Sequence, residues 1–225
     1  MTGEEIAKLK AEIEAEDKRL AEEARSAYVK RKQEKIKQLF DDKSLINKDL
    51  QKANFDNYKP TNEGLQTALT LAQRYASIFN LDKPINLLLY GSYGTGKSHL
   101  SVAITKELMQ KGLTCIFVSM PKLLTKIKTT YNKKSEQTES DLMDYIESVD
   151  LLVLDDIGAE KDNEWALSKL FEIIDGRIGK HTVFTTNFAT EDLRSRIGER
   201  NFSRVMQNTH EVKMVGQDYR LKGEK

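Results

Sequence analysis

One short stretch restricts the fold more than any other part of the chain: Gly91-Ser92-Tyr93-Gly94-Thr95-Gly96-Lys97-Ser98. It meets the pattern G-x-x-x-x-G-K-[ST] at every fixed position. Before it runs Ile85-Asn86-Leu87-Leu88-Leu89-Tyr90, an apolar run behind Pro84 that reads as a buried strand. After it, His99 to Met109 carries apolar residues at helical spacing, and Gly112 supplies a stop. Strand, glycine loop and helix are the setting in which such a loop cradles phosphate. The glycines let the backbone curl so that successive N–H groups point inward, and the helix N-terminus adds partial positive charge. Lys97 can reach β- and γ-phosphates, and the Ser98 hydroxyl can ligate Mg²⁺. Gly91, Ser92, Tyr93, Gly94, Thr95, Gly96, Lys97 and Ser98, with His99 following, are therefore the candidate nucleotide site.

A second anchor lies downstream in Val149-Asp150-Leu151-Leu152-Val153-Leu154-Asp155-Asp156. A buried parallel strand delivers its last residues to the sheet edge where ligands of open α/β sheets bind. Asp155 is placed to hold Mg²⁺, directly or through water, and Asp156 to orient an attacking water. Two adjacent carboxylates could also form a plain polar turn. His181-Thr182-Val183-Phe184-Thr185-Thr186-Asn187 reads as a further strand; if it runs between the two motif strands, Asn187 faces the γ-phosphate. His181 has no Cys, His or acid cluster around it and reads as structural. Arg194, Arg196, Arg200, Arg204 and Arg220 populate the C-terminal part, as phosphoryl-neutralising groups or as a surface salt-bridge belt.

Residues 4–40 are nearly all helix formers, acidic in the first half and basic in the second, which complements a helix dipole. Ile6, Leu9, Ile13 and Leu20 make a thin heptad seam, so this segment reads as a partner-binding arm or a solvated helix. Residues 41–60 read as a linker in which Phe55 and Tyr58 either flank a base or anchor the linker to the core. Asn62 caps the helix carrying Leu65, Ala68, Leu69, Ala72, Tyr75, Ala76 and Phe79. Pro121 marks a helix start. The stretch 129–135, with Tyr131 and nearby Lys126 and Lys128, suits a single-strand contact or an ordinary surface loop. Thr138 with Asp141, and Asn163, cap two more helices, and Thr190 a short one through Leu193 and Ile197. Trp165 reads as packing.

Size fits one ordinary domain plus an extension: 225 residues, 39% hydrophobic and 32% charged. A net charge of +1 gives no global pull towards nucleic acid, so any such surface is a local patch. The single Cys115, inside an apolar run, excludes an intrachain disulfide and a Cys-rich zinc site. No signal peptide and no membrane-spanning run is visible, and a cytoplasmic place in a bacterial host is expected.

Taken together, Gly91 to Ser98, Leu151-Leu-Val-Leu-Asp-Asp-Ile-Gly158, Thr185-Thr-Asn187, Gly198-Glu-Arg-Asn-Phe-Ser-Arg204 and Gly216-Gln-Asp-Tyr-Arg220 resemble AAA+ ATPases of the DnaC/DnaI helicase-loader group, which includes the IstB-like transposition helpers. The resemblance covers about residues 50–221 and is closest to loaders carried by phages of Gram-positive bacteria. It implies an α/β P-loop NTPase (ASCE/AAA+) sheet of strand order 5-1-4-3-2 flanked by helices; in a departure from the family, no full lid domain is expected after Arg220. It implies ATP and Mg²⁺ as ligands. Asn187 becomes sensor 1, Arg204 the finger reaching a neighbouring subunit's ATP with Arg200 as second choice, and Arg220 the sensor 2 position. It implies a hexameric replicative helicase and single-stranded DNA as partners, and self-association through a nucleotide-bridged interface. The expected division is an arm over 1–40 that grips the helicase, a linker over 41–60 and an ATPase domain over 61–225. Two alternatives share the core: a transposition helper, and a nucleotide-switched adaptor with little hydrolysis. The adaptor is suggested by Asp156 where many AAA+ proteins carry Glu. A small-molecule P-loop kinase would have no place for the Thr-Thr-Asn strand.

Overall fold

The computed structural model describes residues 3–40, 48–132, 138–159 and 163–220. Five strands form one parallel sheet: β1 (Asn86–Gly91), β2 (Cys115–Ser119), β3 (Leu151–Asp155), β4 (His181–Thr186) and β5 (Thr209–Met214). Their spatial order is β2-β3-β4-β1-β5, the order 5-1-4-3-2 expected from the resemblance. Leu88 pairs in register with Phe184, and Val153 with Val183, so β4 lies between the two motif strands. The interior strands are apolar on both faces because helices cover both. One core face gathers Leu88, Ile116, Leu152, Leu154 and Phe184, and the other Leu87, Leu89, Phe117, Leu151 and Val153.

Seven α-helices precede, connect or flank these strands among the described residues: α1 (Gly3–Phe40), α2 (Glu63–Ser77), α3 (Lys97–Gln110), α4 (Met120–Thr130), α5 (Glu139–Ser148), α6 (Glu164–Gly176) and α7 (Thr190–Met206). Three of the four expected caps form. Asn62 accepts from Leu65 N–H, Asn163 from Ala166 N–H, and Thr138 with Asp141 closes a reciprocal capping box. Gly112 turns the chain at φ +76°, where Leu113 N–H bonds back to Leu108 C=O. Cys115 is buried, and burial pushes its thiol pKa up. His181 is buried and structural: its ring stacks on Phe79 and its Nε2 lies 2.9 Å from the Asn80 carbonyl.

Three features differ from the sequence expectation. Ala189, not Thr190, occupies the cap of α7, which continues to Met206 across a break at Gly198 (φ 78°, ψ 156°). The fifth strand, β5, was not visible as an element, because Thr209, His210, Glu211 and Lys213 leave only Val212 and Met214 buried on a sheet edge. Within the expected linker, a short 3₁₀ turn (Lys48–Lys52) leads to Ala53 and Tyr58, both buried in the core. Residues 41–47 of that linker, and 133–135 of the basic loop, lie outside the described residues.

The long α1 is exposed along most of its length, including Leu9, Ile13 and Leu20. Near its C-terminal end it touches the sheet. Gln33 Nε2 donates to Cys115 C=O at 3.1 Å, and Cys115 N–H donates to Gln33 Oε1 at 3.4 Å. Its amide takes both bonds that a further strand would take from Cys115 on the β2 edge. Lys32 adds a bond to the Ser148 carbonyl at 2.6 Å.

At the opposite end of the sheet from the phosphate loop, Arg177 is only 3% exposed. Its guanidinium bonds the carbonyls of Ile146, Glu147 and Val149, and also that of His181. It thereby ties the last turn of α5 to the starts of β3 and β4. Burial lowers its pKa to about 10. Arg177→Met should strand the carbonyls of Ile146, Val149 and His181, while Glu147 C=O keeps Lys180 Nζ at 2.6 Å; at about 1–3 kcal/mol for each group left unsatisfied, a loss of at least about 3 kcal/mol is expected. Urea unfolding with an unchanged midpoint would remove this role from Arg177.

Candidate active site

The site is assembled from the carboxyl ends of three adjacent strands. β1 ends in the glycine loop, β3 in Asp155-Asp156 and β4 in Thr185-Thr186-Asn187. The loop is held in a curled form from both sides. Tyr58 donates its hydroxyl to Thr95 C=O at 2.8 Å, and burial pushes the phenol pKa up to about 12. Its ring lies so close to Gly96 (φ +87°) that an added Cβ would meet Tyr58 Cε2 at 2.5 Å. Glycine there is required twice, for the left-handed backbone and for the contact. Of the two readings of Tyr58, the structure realises the anchor. His99 turns towards the same segment, with Nε2 2.9 Å from Asn54 C=O and its ring against Tyr58.

On the loop's other side lies the C-terminal segment. Asn62 caps α2 and also donates to Val215 C=O at 2.9 Å, and Tyr219 N–H donates to Gly94 C=O at 3.0 Å. Asp218 sits against Gly94, where any Cβ would collide with it. The same carboxylate accepts from Arg220 N–H, Nε and Nη2 at 2.9, 3.0 and 2.9 Å. The structure therefore brings Arg220 to the rim of the loop, paired with Asp218.

Inside the loop, Lys97 Nζ donates to Gly91 C=O at 3.0 Å and to Ser92 C=O at 2.7 Å. Ser98 Oγ donates to Asp155 Oδ1 at 2.7 Å, and Asn187 Nδ2 to Asp156 Oδ1 at 2.8 Å. Asp156 takes φ +63°, a left-handed conformation at the end of β3. Burial raises the Asp155 pKa above its ordinary 3.8, against the lowering effect of the Ser98 and Thr185 hydroxyls. Ser98 and Asp155 supply a hydroxyl and a carboxylate oxygen side by side next to a phosphate loop. That hard, all-oxygen, incomplete donor set suits Mg²⁺, which keeps waters and substrate oxygens in its shell.

Arg204 is not part of its own chain's site. It stands at the far end of α7, before β5 begins, and pairs with Asp175 at 3.2 Å. That is the opposite end of β1 from Gly91, roughly 20 Å away at ~3.3 Å per strand residue. Arg200 stacks on Phe171 at 3.5 Å from the ring centroid, and Arg196 on Phe188 at 3.7 Å. Trp165 packs edge-on to Tyr131, with Lys128 Nζ 4.7 Å from its centroid. Residue-by-residue sequence reading missed Thr185, whose hydroxyl bonds both Asp155 and Asp156 N–H, and missed Asp218. Only the pairing of β3 with β4 signals the first, and only the return of the C-terminal segment signals the second.

The family described as IstB-like ATP binding protein matches residues 12–225. The chain belongs to that family. Among curated relatives, this IstB-like chain is 32% identical over 154 residues to the replicative helicase loader DnaC of Buchnera aphidicola subsp. Acyrthosiphon pisum, covering 68% of this chain and 62% of that protein. It is 30% identical over 157 residues to DnaC of Escherichia coli K12, covering 69% and 63%. The match thus spans less than two thirds of these relatives' own length. A crystal structure of the DnaC helicase loader superposes with a TM-score of 0.68 and 28% identity, covering 75% of this chain and 99% of that one. The architecture is the AAA+ P-loop fold, and the family binds ATP. No helix among the described residues is long and apolar enough to cross a membrane.

Burial lowers the Lys97 pKa to about 8, with Asp155 and Asp156 pulling it upward. A lysine must be protonated to hold phosphate. ATP affinity should therefore be flat below about pH 8 and weaken by up to about tenfold per pH unit above it, until the pKa of the bound form is reached. Lys97→Arg, which stays charged, should flatten that slope. Calorimetric titration of ATP between pH 7 and 9.5 checks this, and a pH-independent affinity for the parent protein would contradict it.

Proposed function

We propose that this IstB-like ATPase binds a replicative helicase and delivers it to single-stranded DNA at a phage or plasmid origin, driven by ATP. The observation that carries the ATPase part is the Asn187–Asp156 hydrogen bond, 2.8 Å long, beside the Ser98–Asp155 pair at 2.7 Å. It supports a water-orienting pair next to a metal-holding pair at the mouth of one phosphate loop. The loader part is supported by the named function of the DnaC relatives, over the length they share.

In this mechanism the loop N–H groups from Gly94 to Ser98 and the start of α3 bind the β- and γ-phosphates. Lys97 exchanges its two carbonyl partners for phosphate oxygens. Ser98 and Asp155 would hold Mg²⁺, which neutralises charge on the phosphates when bound. Asp156 takes up the developing proton of the attacking water, and Asn187 keeps the carboxylate aimed. Asp156 is one methylene shorter than the glutamate common in AAA+ sites, which fits slow turnover. Arg204 acts on a neighbouring copy's nucleotide, so hydrolysis depends on assembly, and Arg220 leaves Asp218 to meet phosphate. The exposed part of α1 before Lys32 is the helicase grip.

A second reading, from the resemblance to IstB-like transposition helpers and compatible with the IstB-like family match, is a helper that uses the same core with a transposase. Co-purification decides between them. Full-length protein should capture the host replicative helicase in an ATP-sensitive manner. Deletion of residues 1–26, which spares Gln33 and Lys32 on the sheet edge, should abolish capture and leave ATP affinity unchanged. Capture of a transposase alone would move the assignment to the second reading.

Arg204→Ala should keep ATP affinity within about twofold while slowing assembly-dependent hydrolysis by about 10³-fold or more, the scale of arginine fingers. Steady-state turnover at high and low protein concentration measures it. Unchanged turnover would transfer the role to Arg200.

A further inference from the structure

We infer that Thr185 is a positioning residue for the ATPase reaction, its hydroxyl setting the metal-holding Asp155 and the water-orienting Asp156 at once. Thr185 Oγ1 donates to Asp155 Oδ1 at 2.8 Å and accepts from Asp156 N–H at 2.9 Å. A hydroxyl has a single hydrogen, so giving it to Asp155 turns its lone pairs towards the Asp156 amide. The two bonds fix each other's direction. They bracket the peptide that joins the two acids, and Asp156 there adopts φ +63°. A left-handed backbone is disfavoured for a non-glycine residue and persists only where its surroundings hold it.

The surroundings are the end of β4. Ile157 N–H donates to Thr185 C=O at 2.9 Å, and Thr186 Oγ1 donates to Ile157 C=O at 2.9 Å. Thr185 is only 2% exposed and Thr186 fully buried, so no solvent substitutes for these bonds. The two threonines thus have different tasks. Thr186 holds the turn from behind, while Thr185 reaches the acids themselves. Asp155 Oδ1 receives two hydroxyl donors, Ser98 from the phosphate loop and Thr185 from β4, which orients the carboxylate between the two motifs. Asp156, with its left-handed backbone, meets Asn187, which follows directly on the end of β4. Thr185 therefore bonds directly to both acids, and through them connects to Ser98 on one side and Asn187 on the other.

The inference rests on the ATPase reading, and its test separates the two. Valine matches threonine in shape and lacks both hydrogen-bonding functions; serine keeps both. Full-length Thr185→Val and Thr185→Ser would be compared with the parent protein. Calorimetry with a non-hydrolysable ATP analogue is run with EDTA and with Mg²⁺, and single-turnover hydrolysis is measured separately. Thr185→Val should bind the analogue in EDTA within about twofold of the parent. It should lose about 10–100-fold in the affinity gained from Mg²⁺ and in hydrolysis rate, the usual cost of removing a partner of a metal ligand. Thr185→Ser should recover both. Equal losses with and without Mg²⁺, or no loss, would reduce Thr185 to a packing residue and overturn the inference. If Thr185→Val does not fold, Thr185→Ala against Thr185→Ser supplies the same contrast. A parent protein that gains affinity from Mg²⁺ but never turns over would sink hydrolysis and leave the Mg²⁺ contrast to decide Thr185. A parent protein with no Mg²⁺ gain would sink both.

Discussion

Strand β4 lies hydrogen-bonded between β1 and β3, and the site depends on that insertion. The glycine loop leaves β1 and the paired acids leave β3, one strand apart. β4 fills the space: the Thr185 hydroxyl reaches both acids, the Asn187 amide just beyond the strand reaches Asp156, and Thr186 holds the Ile157 carbonyl behind them. Remove β4 from between them and Asp155 loses Thr185, Asp156 loses Asn187, and the left-handed turn loses its bonds to Thr185 and Thr186. A parallel sheet makes this possible because all strand ends of one polarity gather on one edge, where backbone groups are free for ligands.

Around that edge, two segments distant in sequence press on the glycine loop. Tyr58 closes on Gly96 from the N-terminal side and Asp218 on Gly94 from the C-terminal side. Both contacts use the missing Cβ of a glycine, so the loop's conformational freedom also serves as packing space. The pairing of Asp218 with Arg220 keeps a cation at the rim without exposing it unpaired beside Lys97. Arg204, tied to Asp175 at the far end of the sheet, faces away from this edge. That position is compatible with the proposal, drawn from the resemblance, that Arg204 acts on a neighbouring copy's nucleotide and that hydrolysis waits for assembly.

Much of this was legible in the residues. Apolar runs marked β1, β3 and β4, and Asn62, Thr138 and Asn163 announced their helices with side chains that accept the first free N–H groups. Such signals are local, so a single sequence carries them. The strand order came only from resemblance to the DnaC/DnaI group. β5 was illegible because an edge strand buries one face and alternates charge with Val212 and Met214. Arg177 has no local signature in the sequence, yet it is enclosed and bonded to carbonyls of α5, the loop before β3, and β4. Gln33 on the β2 edge had no local signature either, since its partner is Cys115.

By itself the sequence determined the chemistry available: a phosphate-wrapping loop at Gly91 to Ser98, a carboxylate pair at a strand end, and helices with defined starts. Short-range spacing decides these, because backbone curl, capping and amphipathic faces extend over only a few residues. Tertiary structure alone decided which groups meet. It placed Thr185 between Asp155 and Asp156, Tyr58 and Asp218 on opposite sides of one loop, and Arg204 out of reach of its own site. Those relations follow from the order in which parallel strands stack, and a strand's place in that order is set by burial against distant elements rather than by its own residues.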